Sequence, residues 1–355
     1  MSEPLYQKIQ NDLIRRIQSG ELDVGDLVPS EKELAEQYGV SQITSKNAIK
    51  GLVDEGLLVR YRGKGTFVRA FGDRPASELK ALAEHGAATI ALVIPSMKTR
   101  IDQQLLDSLE KHCASAGYEL LIRITRENPD EEARAIERFR NRGVDGFIVF
   151  PVEQNSYNET ILRLSLDRIP LVLVDRFLKE IKTYSVSSDN MGGVKEAVED
   201  LLARGHRKIA YLSPEITNTA TDDRARGYEA AFIERGLPID KTLWCLLPLP
   251  SIVAGMVPEY ILSFLREHRD VTAIFAVNAE IARYAYEALR EMRGQSARET
   301  MPELVTFDDS GLEGLTYISQ QVDEIGRLTV GLLSEQLSGR FEPRREIVPV
   351  QVIRP

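Results

Sequence analysis

Ser30-Glu-Lys-Glu-Leu-Ala-Glu-Gln-Tyr-Gly-Val-Ser-Gln-Ile-Thr-Ser-Lys46 contains two helix starts separated by a glycine stop. Ser30 followed by Glu33 is a capping box, in which the serine oxygen and the glutamate carboxylate each satisfy a backbone N–H that the first helical turn leaves unpaired. Leu34, Ala35 and Tyr38 then fall on one inward face, and Gly39 closes the helix. Ser41 caps the next helix, whose buried stripe is Ala48, Ile49 and Leu52. Two short helices joined by a tight glycine turn make a helix-turn-helix. Upstream, Leu5, Ile9, Leu13 and Ile17 recur at helical spacing as far as Gly20. Downstream, residues 57–62, a Gly63-Lys64-Gly65 tip and residues 66–69 read as a hairpin whose backbone can approach a partner closely.

Charge supports a nucleic-acid reading of this segment. The 355-residue chain carries a formal charge of −9, which by itself argues against DNA. Residues 1–70, however, hold ten basic and ten acidic residues, so the acidity lies elsewhere. Within 42–70 there are six basic residues (Lys46, Lys50, Arg60, Arg62, Lys64, Arg69) against Asp54 and Glu55. The third helix fits a major groove, with Gln42 and Lys46 one turn apart on its outer side, and the tip residues Arg62 and Lys64 reach phosphate or a minor groove. The bland alternative is a helical hairpin with solvated surface charges. The order of helix, capped helix, capped helix and basic hairpin favours DNA.

These residues resemble the GntR family of winged-helix regulators: Pro4-Leu-Tyr-Gln, Pro29-Ser-Glu-Lys-Glu-Leu-Ala, Gly39-Val-Ser-Gln-Ile-Thr44 and Gly63-Lys-Gly-Thr-Phe-Val68. The resemblance covers 4–68 and implies a winged head over 1–70. The candidate DNA contacts are Ser30, Glu31, Lys32, Ser41, Gln42, Thr44, Ser45, Lys46, Arg62, Lys64 and Gly65. Gln42, Lys46 and Lys32 stand where the family usually has arginine. Lysine lacks the bidentate fork of arginine, so the family's base preference is not carried over.

A polar stretch at 71–88 reads as a linker, and from residue 89 to 355 apolar strand runs alternate with helical patterns. Strands are expected at 90–94, 119–124, 146–150, 171–174, 208–212, 273–277 and 304–307, with helices such as 105–116 and 197–203 between them. Alternation of this kind implies an α/β fold of two doubly wound parallel sheets, covered on both faces, with a cleft between two lobes. Ligands in such sheets bind beyond the carboxyl ends of the strands. Ser96, Asp175, Arg176, Asn278, Asp308 and Asp309 follow those ends, and Arg224 is expected to begin a helix. Carboxylates, amides and a guanidinium suit a polyol, whose hydroxyls donate and accept at once. Each residue could equally be a helix cap.

Pro170-Leu-Val-Leu-Val-Asp-Arg176, Ser188-Asp-Asn, Gly205-His-Arg-Lys-Ile-Ala210, Arg224-Ala-Arg-Gly-Tyr228, Val305-Thr-Phe-Asp-Asp309 and Ser319-Gln-Gln-Val-Asp-Glu-Ile-Gly326 are similar to the sugar-sensing core of LacI-type repressors and periplasmic sugar-binding proteins. That resemblance spans 89–353 and implies a periplasmic-binding-protein-like domain. It makes Arg224 and Asp308 the leading effector contacts, with Asn278, Gln320, Ser96 and Arg176 behind them. Ala279 stands where the family usually has aspartate, and the segment from Ser96 to Ile101 lacks the usual aromatic. A GntR-type head on a LacI-type sensor resembles the arabinose-responsive repressors of Gram-positive bacteria. The resemblance implies a homodimeric, sugar-responsive repressor that binds double-stranded operator DNA.

Other classes fit less well. The chain has no phosphate-cradling Walker string, no G-x-G-x-x-G after a strand, no G-x-S-x-G elbow and no His-x-x-x-His pair, so an enzyme is not expected. The four histidines show no ligand spacing, and neither a metal nor a cofactor is expected. No apolar run is long enough for a bilayer, and the Met-Ser-Glu-Pro-Leu-Tyr start does not resemble a secretory signal. A cytoplasmic protein is the expectation. Cys113 and Cys245, among apolar neighbours, read as inert core thiols.

Overall fold

The computed structural model describes residues 5–18, 21–22, 25–54, 58–61, 65–68, 87–152, 159–179, 182–215, 218–295 and 301–355. The chain divides into two compact units, Met1–Ala87 and Ala88–Pro355. The segment expected to link them lies almost wholly outside the described residues.

In the first unit, α1 (Leu5–Gln18), β1 (Leu27–Val28), α2 (Glu31–Tyr38), α3 (Gln42–Asp54), β2 (Leu58–Tyr61) and β3 (Gly65–Val68) enclose one small core. Ile9, Leu13, Leu34, Ala48, Ile49 and Leu52 are its fully enclosed members. Leu5, which shares the helical spacing of Ile9 and Leu13, is exposed, because the helix begins there beyond the reach of the core. The capping box forms as the sequence dictates: Glu33 N donates to Ser30 Oγ at 3.3 Å and Ser30 N to Glu33 Oε2 at 2.7 Å. Gly39 stops α2 with φ 62°, a left-handed backbone that costs glycine least. Tyr38 Oη donates to Asp12, locking α2 to α1, and burial with this partner raises the phenol to about 12. The hairpin pairs β2 with β3 antiparallel, Tyr61 opposite Gly65, and β1 adds a third strand that the sequence reading missed.

The second unit holds two six-stranded sheets. In chain order come β4 (Ala88–Ile94), α4 (Arg100–Ser115), β5 (Tyr118–Ile124), α5 (Pro129–Asn141), β6 (Gly146–Val149), α6 (Glu159–Leu166), β7 (Leu171–Val174) and β8 (Tyr184–Ser188). The second lobe continues with α7 (Asn190–Ala203), β9 (Ile209–Pro214), α8 (Thr219–Glu234), a 3-10 turn (Lys241–Leu243) and β10 (Trp244–Leu247). After it come α9 (Leu249–Val253), α10 (Val257–Glu267), β11 (Ala273–Ala276), α11 (Ala279–Gln295), β12 (Glu303–Phe307) and β13 (Thr316–Gln320). Helix α12 (Val322–Leu337) and β14 (Arg345–Val348) return to the first lobe, and β15 (Val350–Ile353) ends in the second.

The first sheet runs β14-β8-β7-β6-β4-β5 and is parallel throughout. The second runs β10-β9-β11-β12-β13-β15, and here the expectation of wholly parallel sheets is corrected: β15 pairs antiparallel with β13. Only Pro349 separates β14 from β15, where the chain changes sheet, so the last strand has no crossover helix to bring it round parallel. Among the described residues the chain passes between the lobes at Ser188-Asp189-Asn190, at Gln320-Gln321-Val322 and at Val348-Pro349-Val350. These passages brace one another. Asp189 N donates to Val348 O at 2.8 Å, and Gln321 Nε2 to Pro349 O at 2.9 Å.

Near-continuous apolar strands fill both interiors, as parallel sheets covered by helices require. Cys113 and Cys245 lie in the cores of different lobes, both unpaired. Among the described residues no helix is long and apolar enough to cross a membrane.

Candidate functional site

Asp308, the first residue beyond β12, lies where the strand-end rule places a ligand. It adopts φ 68°, a left-handed backbone rare for a residue with a side chain and tolerated best by Asp and Asn. Gln320, at the end of neighbouring β13, donates from Nε2 to Asp308 Oδ1 at 2.7 Å. The same amide accepts through Oε1 from Ser188 Oγ at 2.6 Å. Ser188 and Gln320 each precede a passage between the lobes, so this chain of bonds ties the acid in the cleft to two hinges. Burial pushes the Asp308 carboxyl above its ordinary range; Arg224 and the Gln320 bond oppose that, while Asp175 and Asp102 add to it.

Arg224 does not begin its helix as expected. α8 starts at Thr219, capped by Asn218, whose Oδ1 accepts from Ala220 N and Thr221 N. Arg224 therefore sits in the second turn and is almost completely buried. Its Nε donates to Asn190 Oδ1 at 2.8 Å and one terminal nitrogen to Val277 O at 2.6 Å. The guanidinium carbon stands 3.6 Å over the Phe307 ring. A Cβ on Gly227, one turn further along, would collide with the Met191 carbonyl oxygen. Glycine here lets α7 and α8 approach closely enough for Arg224 to reach Asn190.

The remaining expected contacts divide. Arg176 donates to Pro151 O at 2.6 Å and lies over Phe150, so its guanidinium is held at the mouth of the first sheet. Asn278 Oδ1 accepts from Ile281 N at 2.9 Å and acts as the cap of α11. Ser96 Oγ accepts from Lys98 N at 3.0 Å in the loop after β4. The structure brings Asp308 and Gln320 into a cleft of about 380 Å³ together with Arg100, Gln104, Asp309 and Ser319.

Arg100, Asn190 and Asp102 were not anticipated. Arg100 opens α4 in the first lobe and bonds Asp309 of the second at 2.5 Å, spanning the cleft. Lys179 and Asp222, also from opposite lobes, meet at 2.5 Å, and Phe177 N donates to Thr219 Oγ1 at 3.1 Å. The lobes are thus closed on one another. In the sequence Asn190 and Asp102 look like ordinary helix-start residues; only the packing of α7 on α8 shows the partner of the first. The loop after the first strand lacks the family's usual aromatic, as the sequence shows, but Phe150 and Phe307 lie under the arginines at two other strand ends.

In the first unit, Gln42 and Lys46 are both exposed on α3. Ser41 Oγ accepts from Thr44 N at 3.2 Å, forming the anticipated cap. Ser45, named among the candidate DNA contacts, is turned fully inward, and its hydroxyl donates to Glu31 O at 2.6 Å, with Gln42 O a second acceptor at 3.1 Å. The hydroxyl ties α2 to α3 and faces no partner outside. Glu31 pairs with Arg60 across to β2. Ser30 and Lys32 lie at the exposed start of α2, and Gly65 is exposed at the start of β3. Arg62 and Lys64 lie outside the described residues. Ile43, 72% exposed between Gln42 and Thr44, is an apolar side chain on the outer face that the sequence reading passed over.

A helix-turn-helix with an exposed second helix, and a two-lobed cleft lined by groups that bind hydroxyls, define a DNA-binding transcription regulator that responds to a ligand. Residues 87–353 match the periplasmic binding proteins and sugar binding domain of the LacI family, and the chain belongs to that family. Residues 5–68 match the bacterial regulatory proteins of the gntR family. The arabinose metabolism transcriptional repressor of Halalkalibacterium halodurans is 26% identical over 339 residues, which are 94% of this chain and 88% of that protein. In fold, the chain is similar to the Escherichia coli transcriptional repressor ascG (TM-score 0.60, 23% identity, 76% of this chain and 98% of the other). It is also similar to the transcriptional regulator CelR in its cellobiose complex (TM-score 0.65, 21% identity, 92% and 98%).

Proposed function

We propose that this protein represses sugar-utilisation genes from the cytoplasm, as a homodimer whose affinity for a palindromic operator changes when an unphosphorylated sugar occupies the cleft between its lobes. The observation that carries this reading is the bond chain from Asp308 through Gln320 to Ser188. A hydroxyl bound at Asp308 acts on a residue that also holds two of the three lobe passages. Arg224, Asp308 and Gln320 are the principal effector contacts, with Asn278, Ser96 and Arg176 around them. Arg176 and Arg224 are already oriented by carbonyls and aromatic rings, so little rotamer freedom is lost on binding.

Charge selects the sugar. Around the 380 Å³ cleft the carboxylates of Asp107, Asp308, Asp309 and Asp323 outnumber the guanidiniums of Arg100, Arg176 and Arg224. Such a lining accepts hydroxyl donors and repels phosphate. A sugar ligand is supported in kind by the relatives: the H. halodurans protein is named for arabinose metabolism and CelR is described in complex with cellobiose. On the DNA side, Gln42 and Lys46 read base edges, Ile43 offers an apolar contact of the type that meets a thymine methyl, and the hairpin tip reaches the backbone.

A thermal-shift screen of the full chain against pentoses, hexoses, disaccharides and their phosphates tests the cleft. A ligand at a hundredfold excess over its Kd stabilises by about 2.7 kcal/mol. An unphosphorylated sugar should raise the melting temperature while its phosphate does not. A shift produced by phosphates alone would overturn the assignment.

A further inference from the structure

The second lobe has another cavity, larger than the cleft and at the opposite end of the same strands. β12 runs from Glu303 and Leu304, which line this cavity, to Asp308 in the cleft, and β13 from Thr316 to Gln320. The cavity measures about 560 Å³. Leu289, Met301, Leu304 and Leu315 make its apolar wall, with the half-exposed Tyr286 at its edge.

Its charge is opposite to that of the cleft. Four guanidiniums line it: Arg204, Arg290, Arg293 and Arg354. Two of them are neutralised. Arg204 bonds Glu303 at 2.6 Å and Asp200 at 3.2 Å, and Arg354 stands 3.6 Å from Asp200. Arg290 and Arg293 have no ion pair or hydrogen bond among the described residues. Tyr286, Leu289, Arg290 and Arg293 fall at helical spacing on one face of α11, so the two open cations stand beside the apolar wall. An arginine near a helix end complements the helix dipole, and that alone would account for Arg293. It does not account for a second guanidinium, also without a partner among the described residues, beside the same apolar wall.

We infer that this cavity is a second ligand site, for a small organic anion with an apolar body and a carboxylate or phosphate head. The head group meets Arg290 and Arg293 while the body covers Leu289, Met301 and Leu315. In an otherwise acidic protein this is a local reversal of field, and charge-assisted bonds to guanidinium are among the stronger contacts a small anion can make. The inference is independent of the sugar reading of the cleft.

Calorimetric titration of the full chain with 8-anilinonaphthalene-1-sulfonate, an aromatic anion of suitable size, tests it. The wild type should show one saturable site, about tenfold weaker in the Arg290→Ser, Arg293→Ser double variant. Uncharged N-phenyl-1-naphthylamine should bind both proteins alike. Phenyl phosphate and benzoate then compete: displacement by either supports the site and identifies its head group, whereas displacement by neither overturns it. Absence of saturable binding, or equal affinity in the double variant, also overturns it. Both arginines are exposed and have no partner among the described residues, so the double variant should keep the wild-type melting temperature, and its sugar-induced thermal shift reports the cleft separately.

Discussion

Asp175 and Asp308 occupy matching places in the two lobes. Each is the first residue beyond a parallel strand, with φ 66° and 68°, and each amide donates at 2.9 Å to the adjacent strand, Asp175 to Val186 O and Asp308 to Ile318 O. Left-handed backbone at a side-chain-bearing residue concentrates where geometry is held for function. The charge of Asp175 adds to the burial that makes Asp308 harder to ionise.

Asp308→Asn should therefore stabilise the ligand-free protein while weakening sugar binding. Asparagine keeps the backbone conformation and the bond from Gln320 but removes a charge that burial disfavours. Because the folded carboxyl titrates above its ordinary 3.8, wild-type stability from this group is complete below 3.8 and is lost as pH rises through the raised value. The variant should melt about 2 °C higher at neutral pH, and that gap should close as pH falls. A gap constant with pH would show that the carboxyl is not the cause.

Arg224→Lys should lower sugar affinity by about tenfold to a hundredfold. Lysine cannot reach Asn190 Oδ1 and Val277 O together, nor lie flat on Phe307. Calorimetry with the sugar found in the thermal screen gives the number, and circular dichroism checks that the lobe still folds.

The DNA-reading face separates by salt dependence. Lys46→Ala should weaken operator binding and, for a phosphate contact, reduce the salt slope by about one unit; Gln42→Ala should instead relax base preference at one position. Ser45→Ala should cost about 1 kcal/mol of stability through the lost bond to Glu31 O and leave the salt slope unchanged. An altered slope in Ser45→Ala would mean that this hydroxyl meets DNA after all.

Much of this was legible in residues 30–52, where caps, glycine and apolar stripe all specify one local structure. The strand ends were legible for the same reason: Leu171–Val174 is apolar throughout and bounded by Pro170 and Asp175. Strand β8 was not, because its Tyr-Ser-Val-Ser-Ser stretch is completely buried yet mostly hydroxylic, and no apolar run announces it. Strands β13 to β15 escaped because their register depends on partners far along the chain. In the cleft, single residue types pointed to Asp308 and Arg224, but a cap and a ligand contact look alike in sequence. Asn278 is held as a cap, whereas Gln320 makes bonds in two directions that only the fold reveals.

The two thiols should be inert in the folded protein. Burial pushes Cys113 up to about 11 and Cys245 to about 12, leaving almost no thiolate to react. A disulfide reagent at roughly pH 8 should modify neither until guanidinium chloride unfolds the chain, and then both. Rapid modification of either in the native protein would contradict the packing of its core.

Occupancy of the cleft should be felt at the operator. Fluorescence anisotropy of the full chain on its labelled operator, with and without saturating sugar, measures it directly. Coupling of about 1–3 kcal/mol predicts a change in operator affinity of roughly five- to 150-fold, reduced in Asp308→Asn and Arg224→Lys. An operator affinity that stays the same at saturating sugar would show that the cleft and the DNA-binding heads are uncoupled.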